Sequence, residues 1–121
     1  MSPIATTTLL LHNPNCSKSR AAKAYLEARG VEFEERAYLD QPLTREELEE
    51  LRSLLDRPVV EWTRTKQAEY RESGLTTAAG DAAHLDAIAA QPILMERPIL
   101  LHEGRAAIGR PTENLAALLD D

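Results

Sequence analysis

Apolar and polar positions along the chain fall into three stretches. Residues 6–11 are a short β-branched and aliphatic run, the pattern of a buried strand. His12-Asn13-Pro14-Asn15 is turn chemistry, and residues 17–29 are good helix formers closed by Gly30 as a C-cap. Val31, Phe33, Ala37 and Leu39 then share one face with Glu35, while Glu32 and Glu34 take the other, which predicts a second strand. Together these form a strand–helix–strand unit whose crossover should be right-handed. After a break at Gln41-Pro42-Leu43, residues 44–55 open with Thr44 and Glu47 as a capping box and put Leu48, Leu51 and Leu55 on one helix face.

Residues 59–91 read as wholly helical, with one helix over 65–73 ending at Gly74 and an Ala-rich one over 81–90 ending before Pro92. The last stretch holds two aliphatic runs, 98–101 and 105–108, joined by a turn at Glu103-Gly104, so the pair reads as a hairpin. Pro111 is expected to start a final helix that turns Leu115, Leu118 and Leu119 inward. The order is βαβ, a helical insertion over about residues 43–92, then ββα. It predicts one domain over residues 1–121, an α/β sandwich around a four-stranded mixed sheet.

Composition narrows the class. A chain of 121 residues buries roughly 65% of its unfolded surface as one domain. Residues 1–11 carry no basic residue ahead of their apolar part, unlike a secretory signal, and no apolar run approaches the ~20 residues of a spanning helix. The single cysteine excludes an internal disulfide, and a cytoplasmic protein is expected. A net charge of -6 argues against nonspecific nucleic-acid binding, and 4% aromatic residues argue against a single-strand stacking platform.

Cys16 stands just after a strand and at a helix N-terminus, where free backbone N–H groups and the helix dipole favour thiolate. Lys18, Arg20 and His12 are close enough in sequence to add to that effect. The same N–H groups suit an incoming oxyanion. A buried structural thiol is the competing reading, and the polar loop around Cys16 weighs against it. Taken alone, His12 is better read as a structural group at a strand end, and His84 and His102 as surface residues. Three histidines and one cysteine without ligand spacing predict no metal site. A tyrosine-phosphatase-like loop is excluded because Ala22 stands where that loop needs an arginine.

The segments HNPNCSKSR, LMERPILL and GRAAIGRPTENL, in that order, resemble the glutaredoxin-coupled arsenate reductases of the thioredoxin superfamily, nearest to an arsenate reductase-like subgroup. The resemblance covers roughly residues 8–119. It implies a thioredoxin-like fold, Cys16 as the nucleophile that attacks arsenate, His12 as the residue that lowers its pKa, and Ser19 as the serine of a CxxS motif. It also implies Arg64, Arg97 and Arg110 as oxyanion ligands and Pro98 as the superfamily's cis-proline. Guanidiniums suit the task because their planar forks bind oxyanions bidentately and stay charged in a pocket.

One thiol cannot supply two electrons and end as a disulfide, so glutathione as co-substrate and glutaredoxin as partner are expected, with no bound cofactor and a monomeric chain. The stretch TKQAEY after Arg64 departs from the family's usual continuation. Two other readings stay open: a redox-responsive regulator or adaptor of the same fold, such as those that bind RNA polymerase, and a general glutathione-dependent thiol oxidoreductase. Ser19 in place of a second cysteine weakens an internal disulfide switch.

Overall fold

In the computed structural model, which describes residues 8–120, the apolar run resolves into β1 (Leu9–His12), buried along its whole length. A central strand covered on both faces requires such a run. Alternation divides its side chains between two cores. Leu10 points to one side with Ala22, Leu26, Leu100, Leu115 and Leu118. Leu9 and Leu11 point to the other with Tyr38, Leu51, Trp62 and Ile99. Each fully buried leucine contributes about 1.5–3 kcal/mol relative to exposure.

Three further strands complete the sheet in the order β2-β1-β3-β4. β2 (Glu34–Ala37) is parallel to β1, with His12 opposite Ala37. β3 (Ile99–His102) is antiparallel to β1, with Leu11 opposite Ile99. β4 (Arg105–Ile108) is antiparallel to β3, with Ile99 opposite Ile108. These registers bring four pieces of chain to one end of the sheet: those after His12, Ala37 and Ile108, and the one before Ile99. It is the carboxyl end of the two parallel strands, where open α/β sheets bind ligands.

Helices α1 (Ser17–Ala28) and α5 (Asn114–Leu119) cover one face. The other is covered by α2 (Arg45–Leu55), α3 (Ala68–Ser73) and α4 (Asp81–Ala90). Gly30 stops α1 at φ 70, with Val31 N–H donating to the Leu26 carbonyl at 3.1 Å. The capping box of α2 is closed: Glu47 N–H donates to Thr44 Oγ1 at 3.1 Å and Thr44 N–H to Glu47 Oε1 at 2.8 Å. Arg36 on β2 grips the same carboxylate with two bonds, at 2.7 and 3.0 Å, and so ties the start of α2 to the sheet. No helix among the described residues is long and apolar enough to cross a membrane.

Several expectations need correction. The first strand begins at Leu9; residues 6 and 7 lie outside the described residues. The second strand stops at Ala37, whose carbonyl accepts from Asp40 and Gln41 N–H in a turn. That turn ends the alternation, so Tyr38 is buried at 1% exposure and Leu39 is exposed at 40%. Residues 59–91 are not wholly helical. After a 3-10 turn at Val59–Trp62, Thr63 pairs with Met95 in a short antiparallel bridge that delays α3 to Ala68.

The last helix starts at Asn114, because residues 111–114 turn first, with Asn114 N–H donating to the Pro111 carbonyl. His84 is fully buried. Its Nδ1 lies 3.1 Å from the Gly80 carbonyl and must donate to it, which leaves Nε2 to accept from the Tyr70 hydroxyl at 2.8 Å. His102 is half-buried, with Nδ1 2.7 Å from Thr8 Oγ1.

Candidate active site

Cys16 is the N-cap residue of α1, with extended backbone (φ -106, ψ 125), and its side chain is partly exposed. The loop before it is pinned at each residue. Cys16 N–H donates to the Asn13 carbonyl at 3.0 Å, and Asn15 N–H to Asn13 Oδ1 at 3.0 Å. Asn13 N–H donates to Ser19 Oγ at 3.3 Å, and Arg20 Nη1 to the Pro14 carbonyl at 2.9 Å. Ser19, fully buried, thus holds the loop, and Arg20 braces it from outside.

Burial raises the pKa of the Cys16 thiol, but the amide of Ser19, the Arg97 guanidinium and the amide of Lys18 together outweigh it and hold the thiol below its usual range. Sγ closes no capping hydrogen bond; the amides act from the open helix end. His12 is not among these main influences. It is 6% exposed, and burial pushes its own pKa down, with Glu35 partly opposing. It is therefore neutral at neutral pH, with Nε2 3.8 Å from Glu35 Oε1 and Nδ1 without a partner among the described residues.

Arg97 immediately precedes Pro98, and the bond between them is cis. Its side chain is 17% exposed; Nη1 lies 3.5 Å from Glu96 Oε1, and Nε is buried without a partner among the described residues. Arg64 is delivered by the Thr63–Met95 bridge, where Arg64 N–H donates to the Leu94 carbonyl and Glu96 N–H to the Trp62 carbonyl. Its Nη1 donates to the Ile93 carbonyl at 3.2 Å. Gln67, with its amide oxygen toward the guanidinium, accepts from Nη1 at 2.9 Å and Nη2 at 2.6 Å. Burial and the neighbouring Arg97 charge lower the Arg64 pKa, and Tyr38, Glu96 and Cys16 partly offset this.

Cys16, Arg97 and Arg64 therefore form one cluster. Arg110 stands apart from its centre: exposed, after the last residue of β4, it lines an open groove with Lys18, Gly109 and Thr112. The Arg110–Pro111 bond is also cis, which the sequence did not suggest. Three members of the site were missed by sequence reasoning: Tyr38, Glu96 and Gln67. For Tyr38 a signal existed, since it directly follows a strand parallel to the one that leads to Cys16. Among the described residues, no cluster of His, Cys, Asp or Glu is suited to a metal ion.

The ArsC family model matches residues 11–118. The chain belongs to the ArsC family. A protein named arsenate reductase from Neisseria meningitidis serogroup B is 46% identical over 91% of this chain and 96% of its own length. The solved structure of an arsenate reductase from Vibrio cholerae superposes with a TM-score of 0.87 at 36% identity, covering 93% of this chain and 98% of that one. The ArsC chain described here thus has the thioredoxin-like α/β fold of its relatives. Similarity extends to a protein of another kind, the global transcriptional regulator Spx of Streptococcus pneumoniae, 31% identical over 93% of this chain and 84% of its own length.

Proposed function

We propose that this chain reduces arsenate to arsenite, with Cys16 as nucleophile and with glutathione and glutaredoxin as the source of electrons. One observation carries the reading: a thiol with lowered pKa shares its site with two partly buried guanidiniums, Arg64 held by the Ile93 carbonyl and Arg97 beside the Glu96 carboxylate. Arsenate is mostly a dianion at neutral pH, and a thiolate approaching it meets like-charge repulsion. Arg64 and Arg97 offset that charge where the sulfur must attack. Arg110, at the rim with Lys18, completes the cationic edge of the cleft.

Cys16 thiolate forms an S–As(V) bond as an arsenate oxygen, protonated, leaves as water. A glutathione thiol displaces a second oxygen in the same way. A glutaredoxin thiol then attacks the glutathione sulfur and forms a mixed disulfide; the electron pair of the broken S–As bond stays on arsenic, which becomes As(III). Hydrolysis of the remaining S–As(III) bond releases arsenite and restores the thiolate. Names at moderate identity support this reading.

The test is arsenate-dependent NADPH consumption in the presence of glutathione, glutaredoxin and glutathione reductase. Arsenite should accumulate with the natural chain and not with Cys16→Ser; its absence with the natural chain overturns the proposal. The Spx likeness supports a second reading as a regulator. Specific retrieval of RNA polymerase, without reductase activity, would favour it.

A further inference from the structure

Tyr38 is a buried group at this end of the sheet with no part in the proposed reaction. It follows Ala37, which pairs with His12, the residue that begins the Cys16 loop. Its ring fills the apolar layer beside Leu43, Leu48, Ile88 and Met95 and is 1% exposed. Its hydroxyl makes no hydrogen bond among the described residues. The charged groups that bear on that hydroxyl are Arg97, Arg64, Cys16 and Glu96, all members of the site. Nearby, Arg97 Nε is enclosed without a partner among the described residues, whereas the Tyr38 hydroxyl is not fully enclosed.

A hydroxyl that has no protein partner, is not fully enclosed and stands among the charged groups of a site is open to a bound ligand. Sulfur is not the partner, since the hydroxyl makes no hydrogen bond to Cys16 Sγ. We propose that Tyr38 is a substrate-contacting residue, whose hydroxyl donates a hydrogen bond to an unprotonated oxygen of the oxyanion that Arg64 and Arg97 hold against Cys16. This rests on the oxyanion reading of the site given above. Burial pushes the phenol up to about 12, with the nearby arginines only partly opposing, so it stays a donor throughout the working pH range.

A fixed neutral donor also discriminates between substrate and product. Arsenate offers charged, unprotonated oxygens, whereas arsenous acid is neutral and offers only hydroxyls, which are weaker acceptors. Tyr38 therefore strengthens the hold on As(V) and relaxes it once arsenic is reduced.

The test compares the natural chain with Tyr38→Phe, which keeps the ring in its apolar seat and removes only the hydroxyl. Cys16 is alkylated with iodoacetamide at rising concentrations of arsenate, with phosphate as a non-reducible mimic, and the protection constant is read from the slowing of the reaction. Tyr38→Phe should need about tenfold or more of either anion for equal protection. Its pH profile of alkylation without anion and its unfolding temperature should not change. An unchanged protection constant overturns the assignment of Tyr38 alone. A shifted pH profile without anion assigns the hydroxyl to the sulfur and overturns it too. No protection of the natural chain by either anion removes the oxyanion reading itself, and this inference with it.

Discussion

The thiol at position 16 owes its lowered pKa to two kinds of neighbour, the amides at the start of α1 and one guanidinium, and they can be separated by substitution. Replacing Arg97 by Ala should move the midpoint of Cys16 alkylation to higher pH, because the variant keeps the amides and loses the cation. Lys18→Ala should leave that midpoint in place, since Lys18 acts on the sulfur through its backbone. Mass-spectrometric alkylation rates across pH distinguish the two. The sequence carried the cysteine, its helix terminus and the arginines. It could not carry the neutrality of His12, which follows from burial against the sheet rather than from its place in the loop. The position of Tyr38 after β2 was a signal, but its burial was not legible, because alternation placed it on the face of Glu32 and Glu34.

Elements with a local cause were legible, and those fixed by distant pairing were not. Thr44 and Glu47 announce the start of α2 within four consecutive residues. The late start of α3 depends on Met95, far along the chain, so helix-forming residues around Thr65 mislead. The α2 cap gives two measurable outcomes. Thr44→Ala should cost about 1 kcal/mol in chemical denaturation. Arg36 first, and the Thr44 amide with it, holds the Glu47 carboxyl below the usual carboxylate range against the cost of burial. A depressed folded pKa contributes stability that is present above the unfolded value and lost as pH falls through the folded one. Denaturant midpoints of the natural chain should therefore fall below pH 4.5, the ordinary value for this group, more steeply than those of Glu47→Gln.

Across the whole molecule, the site is a meeting of four connections at one end of the sheet, and a four-stranded mixed sheet was readable because each strand was. What pattern alone could not supply was closeness between those connections. Gly109 shows how tight it is: a Cβ there would stand 3.1 Å from Pro98 Cγ and 3.3 Å from the Leu115 methyls. Gly109→Ala should cost roughly 1–3 kcal/mol and, by pressing on the residue after Arg97, slow Cys16 alkylation at neutral pH. Titration of the Cys16 thiol is also linked to global stability. Its lowered pKa means that stability falls as pH drops through the folded value and is retained above the unfolded one. Unfolding temperatures of the natural chain should therefore rise more between neutral pH and pH 9 than those of Cys16→Ser.

Ser19 gives the fold its most distinctive limit. The buried hydroxyl that secures the Asn13 amide stands three residues after Cys16, and the sequence holds no second cysteine there or elsewhere. On the proposed reaction, the chain would therefore bank no reducing equivalents between cycles, and its pace would be dictated by the surrounding pool of small thiols. Starved of glutathione, such a molecule would idle with arsenic attached rather than shut itself off.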